Sequence, residues 1–150
     1  MYLLRDPTAK KDPERRWALP DRVFFACGAC HILAYAFLQT YPDASFLPLW
    51  IKPRSGRGNH VVLRRGDEAF DYHGYTTWPR LMEHFHRRNR ARWPGWSAEL
   101  IELPPAVLVA GLSSQFHDAL YLRGPTEFLH DALPRAHRWL GTFPKPTVMG

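Results

Sequence analysis

The sequence has few cysteines, no long apolar run and no internal repeat, and each absence excludes a class of protein. Two cysteines in 150 residues cannot form the disulfide framework on which many small secreted domains depend. No apolar segment approaches the roughly 20 residues that cross a bilayer, and the first residues lack the apolar core of a signal peptide. We therefore expect no membrane span, and a location in the cytoplasm or export as an effector without a signal peptide.

The composition is typical of one globular domain with an excess of positive charge. Hydrophobic residues make up 45% of the chain and charged residues 23%, which suits a protein that buries a single core. The net charge is +6, and much of the excess lies in His86–Trp93. A basic segment attracts acidic surfaces, and no nucleic-acid-binding motif accompanies this one. We expect a protein or peptide substrate, with an acidic surface as one option, and leave the oligomeric state open.

The order of the apolar patterns predicts an α+β fold. Prolines and charges indicate an N-terminal arm over residues 1–21, followed by a single domain over residues 22–150. Pro134 should break or kink the helix predicted over Thr126–Trp139. The helix predicted over Cys30–Thr40 is apolar nearly all round. We therefore expect it to be buried on an antiparallel sheet, with further helices C-terminal to it. The predicted helices are Cys30–Thr40, Trp78–Arg92, Ser114–Arg123 and Thr126–Trp139, and the predicted extended segments are Phe46–Ile51, Ser97–Leu103 and a hairpin within His60–Tyr75.

The predicted hairpin brings a histidine and an aspartate to one face of the sheet. With Gly66 and Asp67 at the centre of a type II′ turn, His60 opposes His73 and lies diagonal to Asp71. A two-residue loop one position earlier keeps the same face, whereas a three-residue loop separates the pair. An aspartate placed in this way accepts a ring N–H, fixes the histidine tautomer and stabilises the charged imidazole. The pair is therefore a candidate oriented base.

The stretch "ACGACHILAYAFL" supplies a nucleophile for this base. Cys30 begins the predicted buried helix, where partial positive charge and free N–H groups favour a thiolate and can hold an oxyanion. Cys30, His60 and Asp71 then serve as nucleophile, base and orienting group. His31 and Trp50 are candidate substrate contacts, as is His73, which is also a reserve orienting group.

These residues resemble the papain-like superfamily of cysteine hydrolases. "CGACH" is similar to the C-G-x-C-aromatic signature of papain-type proteases, in which the second cysteine is the nucleophile, and "NHVVL" and "AFDYHGY" follow as histidine and aspartate blocks. The short gap between the last two blocks resembles the transglutaminase-like and small bacterial or phage-type branches. The resemblance covers about residues 24–78.

This resemblance implies a papain-like core and a Cys30–His60–Asp71 triad that uses neither a cofactor nor a metal. The expected activity is amide hydrolysis or acyl transfer, as in a cysteine protease, a glutamine deamidase or a transglutaminase. The glutamine that precedes the signature in papain-type enzymes has no counterpart here, so the second oxyanion donor is not assigned. The sequence does not separate the three reactions.

Four other interpretations stay open. Cys27 and Cys30 form a C-x-x-C pair, which is typical of thioredoxin-like thiol–disulfide proteins when it lies between a strand and a helix. With His31 the same stretch matches the haem c attachment pattern, and with further histidines it provides half of a zinc site. A papain-like core can also be catalytically inactive and serve as a binding module.

Overall fold

The protein has an α+β fold in which one antiparallel sheet lies between helices on both faces. The computed structural model describes residues 7–147. Its α-helices are α1 (Pro13–Trp17), α2 (Asp21–Ala26), α3 (Cys30–Thr40), α4 (Trp78–Arg92), α5 (Ser113–Phe116) and α6 (Ala132–Leu140). Its strands are β1 (Leu47–Pro53), β2 (His60–Arg65), β3 (Glu68–Asp71), β4 (Gly74–Thr77) and β5 (Ala98–Glu102). Short 3-10 helices lie at Pro7–Lys11, Pro42–Ala44, Pro105–Leu108 and Pro125–Glu127.

The sheet has the strand order β4-β3-β2-β1-β5, and every neighbouring pair is antiparallel. The first four strands follow one another as a meander, and β5 returns beside β1 after α4. Hairpin connections explain this order because antiparallel neighbours need only short loops. The starts of β2 and of α3 meet at one end of the sheet, and there the candidate site lies.

The predicted hairpin is confirmed at its turn and corrected at its far end. Gly66 has a φ of 56°, and no non-glycine residue of 7–147 except Ser45 has a positive φ, as a type II′ turn with Gly first requires. The second strand ends at Asp71 rather than running to Tyr75. A tight turn follows, in which Asp71 pairs with Gly74, so the predicted pairing of His60 with His73 was wrong.

One face of the sheet buries α3. Ile32, Leu33, Ala36 and Phe37 are fully buried, which confirms the expectation that this helix is enclosed on most sides. They pack on sheet residues such as Trp50, Val61, Leu63 and Phe70, and on Ala132, Ala136 and Leu140 of α6. Burying this much apolar surface fixes the position of α3, and therefore of the cysteine at its start.

The opposite face carries α4, which matches its predicted bounds. Thr77 caps it by accepting a hydrogen bond from the Arg80 amide at 3.3 Å, and Pro79 stands in the first turn, where no N–H partner is needed. Only one side of α4 is buried. Trp78, Leu81 and Phe85 pack on a second apolar cluster with Ile51, Val62, Ala69 and Trp96.

Of the two helices predicted after β5, the first was mostly wrong and the second is shorter than predicted. The first is the single turn α5, followed by a turn at Asp118–Ala119 and then an extended stretch, in which Leu120 and Leu122 are buried while Tyr121 between them is 74% exposed. This alternation has the period of a strand, which competes with the helical period. The Ser113 hydroxyl accepts a hydrogen bond from the Leu122 amide at 2.7 Å and turns the segment back.

The last helix is shorter than predicted and is not broken by its proline. It begins at Ala132, and the Asp131 side chain caps it by accepting the Leu133 amide at 3.0 Å. Pro134 is its third residue and so lacks no hydrogen bond, because the first-turn amides have no partner in the helix. The predicted break at Pro134 was therefore wrong.

Residues 7–21 of the predicted arm contain α1 and pack against the rest of the chain, whereas residues 1–6 lie outside the described residues. Trp17 stacks edge-on against Phe24 at 5.4 Å. Arg135 of α6 donates hydrogen bonds to the carbonyl oxygens of Trp17 and Leu19, at 2.7 and 2.6 Å. Across residues 7–147, no helix has both the length and the apolar character that crossing a membrane requires.

Candidate active site

His60 and Asp71 form a buried pair at the end of the sheet. The first residue of β2 and the last of β3 project to the face that α4 covers, and His60 Nε2 donates to Asp71 Oδ2 at 3.1 Å. The His60 ring stacks on Phe85 with centroids 4.7 Å apart and planes at 22°. Both side chains are almost fully excluded from solvent. Their orientation is therefore fixed by packing as well as by the hydrogen bond.

Cys30 approaches His60 from the other layer. It is the first residue of α3, it is half-buried, and it packs at the border of the core beneath that helix. The Cys30 sulfur and the His60 ring line the same cavity and are close enough to interact with each other. Because Nε2 of His60 is bonded to Asp71, Nδ1 is the ring nitrogen left to meet the sulfur. Cysteine, histidine and aspartate thus form one continuous chain of contacts.

These contacts favour charge separation between the sulfur and the ring. Burial by itself would raise the pKa of the Cys30 thiol, but hydrogen bonds with His31 and His60 outweigh it and lower the pKa to about 5. Burial likewise opposes a charged His60, but hydrogen bonds with Asp71 and Cys30 raise its pKa to about 9. Between those two values the stable form is a thiolate beside an imidazolium.

Asp71 is held ionised by the two histidines that flank it. Burial would raise the pKa of its carboxyl group, but hydrogen bonds with His60 and His73 outweigh that effect and keep the pKa far below its usual range. The backbone amide of His73 also donates to Asp71 Oδ1 at 2.8 Å. A carboxylate with this many donors remains charged and keeps the His60 ring in one orientation.

The three predicted substrate contacts occupy different places. His31 is buried, lines the cavity beside Cys30, and donates from Nε2 to the Arg123 carbonyl oxygen at 2.6 Å. Trp50 also lines the cavity, and its Nε1 donates to Asn59 Oδ1 at 2.9 Å. His73 does not line the cavity. It lies behind Asp71, with Nδ1 at 3.4 Å from Oδ1, as expected of an orienting group.

A cavity of about 450 Å³ opens onto the sulfur and the imidazole. This volume is within the range of small-molecule and peptide side-chain sites. Its floor is formed by the turn before α3, by Cys30 and His31, and by His60. Its walls come from three places: Trp50 of β1 with Gly58–Asn59, Ala119–Leu122, and Arg92–Trp93 at the end of α4.

Sequence reasoning missed the distant walls of this cavity. Trp93 is half-buried and lines the cavity, and Arg92 was interpreted from the sequence only as the charged end of a predicted helix. Ala119–Leu122 was assigned to a helix. Arg16, placed in the arm, is buried and donates from Nη2 to the Cys27 carbonyl oxygen at 3.4 Å. No local pattern marks these positions, since their neighbours in space are far away in the sequence.

The C-x-x-C pair lies between two helices rather than after a strand. Arg22–Phe25 belongs to α2, and Cys27 is its C-cap. The two cysteines do not form a disulfide bond, and Cys27 is buried. Within residues 7–147, no three His, Cys, Asp or Glu side chains are grouped as ligands of a metal ion. The strand that a thioredoxin-like arrangement needs is therefore absent from this position.

Comparisons of the chain with protein-family models, with curated proteins and with solved structures found no match.

Proposed function

We propose that this protein is a thiol-dependent amide hydrolase or acyl transferase in which Cys30, His60 and Asp71 act together. The observation that carries the proposal is the continuous contact from sulfur to imidazole to buried carboxylate, at the mouth of a cavity. Structural cysteines and histidines seldom combine a low thiol pKa, a fixed tautomer and access from a cavity. The resemblance of the three sequence blocks to papain-like enzymes supports the same chemistry.

The proposed reaction begins with attack of the Cys30 thiolate on the carbonyl carbon of a substrate amide. Negative charge then develops on the carbonyl oxygen, beside the first turn of α3, whose N–H groups have no partner within the helix. His60 gives its proton to the departing nitrogen as the carbon–nitrogen bond breaks, which leaves a thioester on Cys30. Asp71 keeps the His60 ring in position and stabilises its charged form.

The thioester is resolved by a second nucleophile, which His60 activates. Water gives hydrolysis of a peptide bond or deamidation of a glutamine side chain, and a primary amine gives transfer of the acyl group. His31 contacts the sulfur from the other side of the ion pair. Its Nε2–H is bound to the Arg123 carbonyl oxygen, which fixes the ring beside Cys30.

The test is the rate of alkylation of each cysteine by iodoacetamide as a function of pH, measured by peptide mass spectrometry. We expect labelling of Cys30 to rise near the pKa of about 5, whereas a free thiol reacts fully only above about 8.5. Buried Cys27 is the internal control and should react slowly at every pH. Labelling of Cys30 with an ordinary thiol profile would instead indicate an inactive module and overturn the proposal.

A second measurement separates the possible reactions. The protein is incubated with a mixture of peptides of known sequence and a primary amine, and the products are identified by mass spectrometry. New peptide ends indicate hydrolysis, conversion of glutamine to glutamate indicates deamidation, and amine adducts indicate acyl transfer. All three products should disappear in Cys30→Ala and persist in Cys27→Ala.

A further inference from the structure

One wall of the cavity carries a positive charge with no acidic partner. Arg92, the last residue of α4, lines the cavity together with Trp93. No aspartate or glutamate of residues 7–147 lies on the cavity wall. The described residues also offer the Arg92 guanidinium neither a hydrogen bond nor an ion pair. Arg92 is exposed, so its positive charge is open to solvent and to whatever enters the cavity.

Arg90 and Arg65 differ from Arg92 in this respect. Arg90, also in the last turn of α4, donates from Nε to the Trp96 carbonyl oxygen at 3.1 Å. Arg65 is bound by Glu68 and by backbone oxygens. A position at a helix C-terminus favours any cation, so the dipole accounts equally for Arg90 and Arg92. It does not account for a guanidinium that is left unbound at the cavity.

Trp93 holds the unbound guanidinium in one place. The guanidinium carbon of Arg92 lies 5.2 Å from the centre of the Trp93 ring, within the range of a cation–π contact. Stacking on a ring leaves the N–H edge of a guanidinium free, and that edge matches the two oxygens of a carboxylate. The other walls, at Trp50, Leu120 and Leu122, are apolar and suit the carbon atoms of a substrate.

We propose that Arg92 and Trp93 form a subsite for an acidic side chain of a peptide or protein substrate, close to the amide that Cys30 attacks. This inference rests on the proposed function and names its substrate class. A nucleic acid would need a row of cations along its phosphates. Only one arginine lines the cavity within residues 7–147, which favours a single carboxylate.

The test uses paired electrophilic peptides, identical except for glutamate or glutamine next to a vinyl sulfone group. The Cys30 sulfur adds to the alkene, and the second-order rate is measured by intact-mass spectrometry. We expect the glutamate peptide to react about tenfold faster than the glutamine peptide, the size of one charge-assisted hydrogen bond. The preference should fall to near unity in Arg92→Gln and recover in part in Arg92→Lys.

Two controls separate this inference from general attraction and from the proposed function. Arg138→Gln removes the same charge from an exposed position of α6 and should keep the preference. Iodoacetamide should label Cys30 equally in all of these variants, since it carries no charge. If Cys30 labels normally but the two peptides react alike, or if Arg92→Gln keeps the preference, the subsite is wrong and the hydrolase proposal stands.

Binding to Cys30→Ala tests the subsite without thiol chemistry. The matching peptide amides, with glutamate or glutamine, are titrated while tryptophan fluorescence is recorded. Tighter binding of the glutamate peptide that is lost in Cys30→Ala/Arg92→Gln supports the subsite, even if Cys30 proves unreactive. Equal affinities for the two peptides would overturn it.

Discussion

The two faces of the sheet are built differently, and the candidate triad is divided between them. On one face, α3 is a short apolar helix enclosed by the sheet and α6, and it carries Cys30. On the other face, α4 is a longer helix with one buried side, and it packs on His60 through Phe85. The nucleophile thus belongs to the larger core and the base to the smaller one.

This division explains why the site lies at the end of the sheet. Side chains of adjacent strand residues point to opposite faces, so a residue in mid-strand is separated from the other layer by the sheet itself. His60 is the first residue of β2 and Cys30 is the first of α3, so each lies where its element begins, at the same end of the sheet. Disturbing one layer should therefore affect the site differently from disturbing the other, and four sets of substitutions test this.

The largest effect is expected from His60→Gln, which breaks the contact between the layers. Without the imidazole, the pKa of the Cys30 thiol rises towards its ordinary value, because a principal hydrogen bond and an opposite charge are lost. At about pH 6 the alkylation rate of Cys30 should fall about 100-fold. His86→Gln, a histidine of α4 that contacts Trp96, is the control and should react as the unaltered protein does. A normal rate in His60→Gln would mean that another group stabilises the thiolate.

The next effect is expected on the α3 side, from Gly28→Ala. Gly28 has a φ of 105°, and a Cβ there would overlap the buried Arg16 guanidinium. We expect a loss of about 2–3 kcal/mol in the free energy of unfolding, from the strained backbone and the displaced arginine. Gly56→Ala is matched in its positive φ of 77° but has no atoms nearby, so it should cost about 1 kcal/mol. If urea unfolding shows the same loss of unfolding free energy in both variants, the Arg16 side chain moves aside without an energetic cost.

A smaller effect is expected from Asp71→Asn on the α4 side. The amide keeps an acceptor for the His60 ring but removes the negative charge, so the pKa of His60 falls from about 9. The imidazolium is the proton donor below that pKa and is lost as pH rises through it. The alkaline limit of peptide turnover should therefore move to lower pH, and neutral-pH alkylation should slow about tenfold. In Glu68→Gln, on the same strand, the pH profile should not move.

The smallest effect is expected from paired phenylalanine substitutions, one in each layer. Phe85→Leu removes the ring on which His60 stacks, and it should lower stability by about 1 kcal/mol and slow Cys30 alkylation a few-fold. Phe37→Leu, within the α3 layer, should lower stability at least as much and leave alkylation unchanged. If both variants slow alkylation equally, the reactivity of Cys30 depends on core packing in general and not specifically on the α4 face.

The part of the site that was predictable from the sequence is the part fixed by local geometry. The turn at Gly66–Asp67 and strand alternation are enough to bring His60 and Asp71 to one face. The helix that begins at Cys30 follows from its apolar run and the proline after it. Tyr72–His73 was misjudged because residues typical of strands also tolerate a tight turn when Gly74 supplies a positive φ.

The extended stretch over residues 120–123 and the buried Arg16 could not be predicted in this way. Leu120 and Leu122 are not in a helix because both side chains pack in the core beside α3. That core is assembled from segments that are distant in the sequence. Arg16 is buried because its guanidinium donates a hydrogen bond to the Cys27 carbonyl oxygen and contacts the Phe128 ring. The ring centre lies 5.0 Å from the guanidinium carbon. A charged residue among prolines gives no local sign of such partners.

The amino-acid sequence by itself determined the α+β class, the helices that flank the sheet and the diagonal placement of His60 and Asp71, because helical and strand periods act over a few residues. Only the tertiary structure decided that Cys30 meets His60 from the opposite layer, and that Arg92 and Trp93 face the same cavity. His60 lies 30 positions after Cys30 in the sequence, and Trp93 lies 63 positions after it. Their geometry depends on how two separate apolar clusters pack on one sheet, and no local pattern encodes that packing.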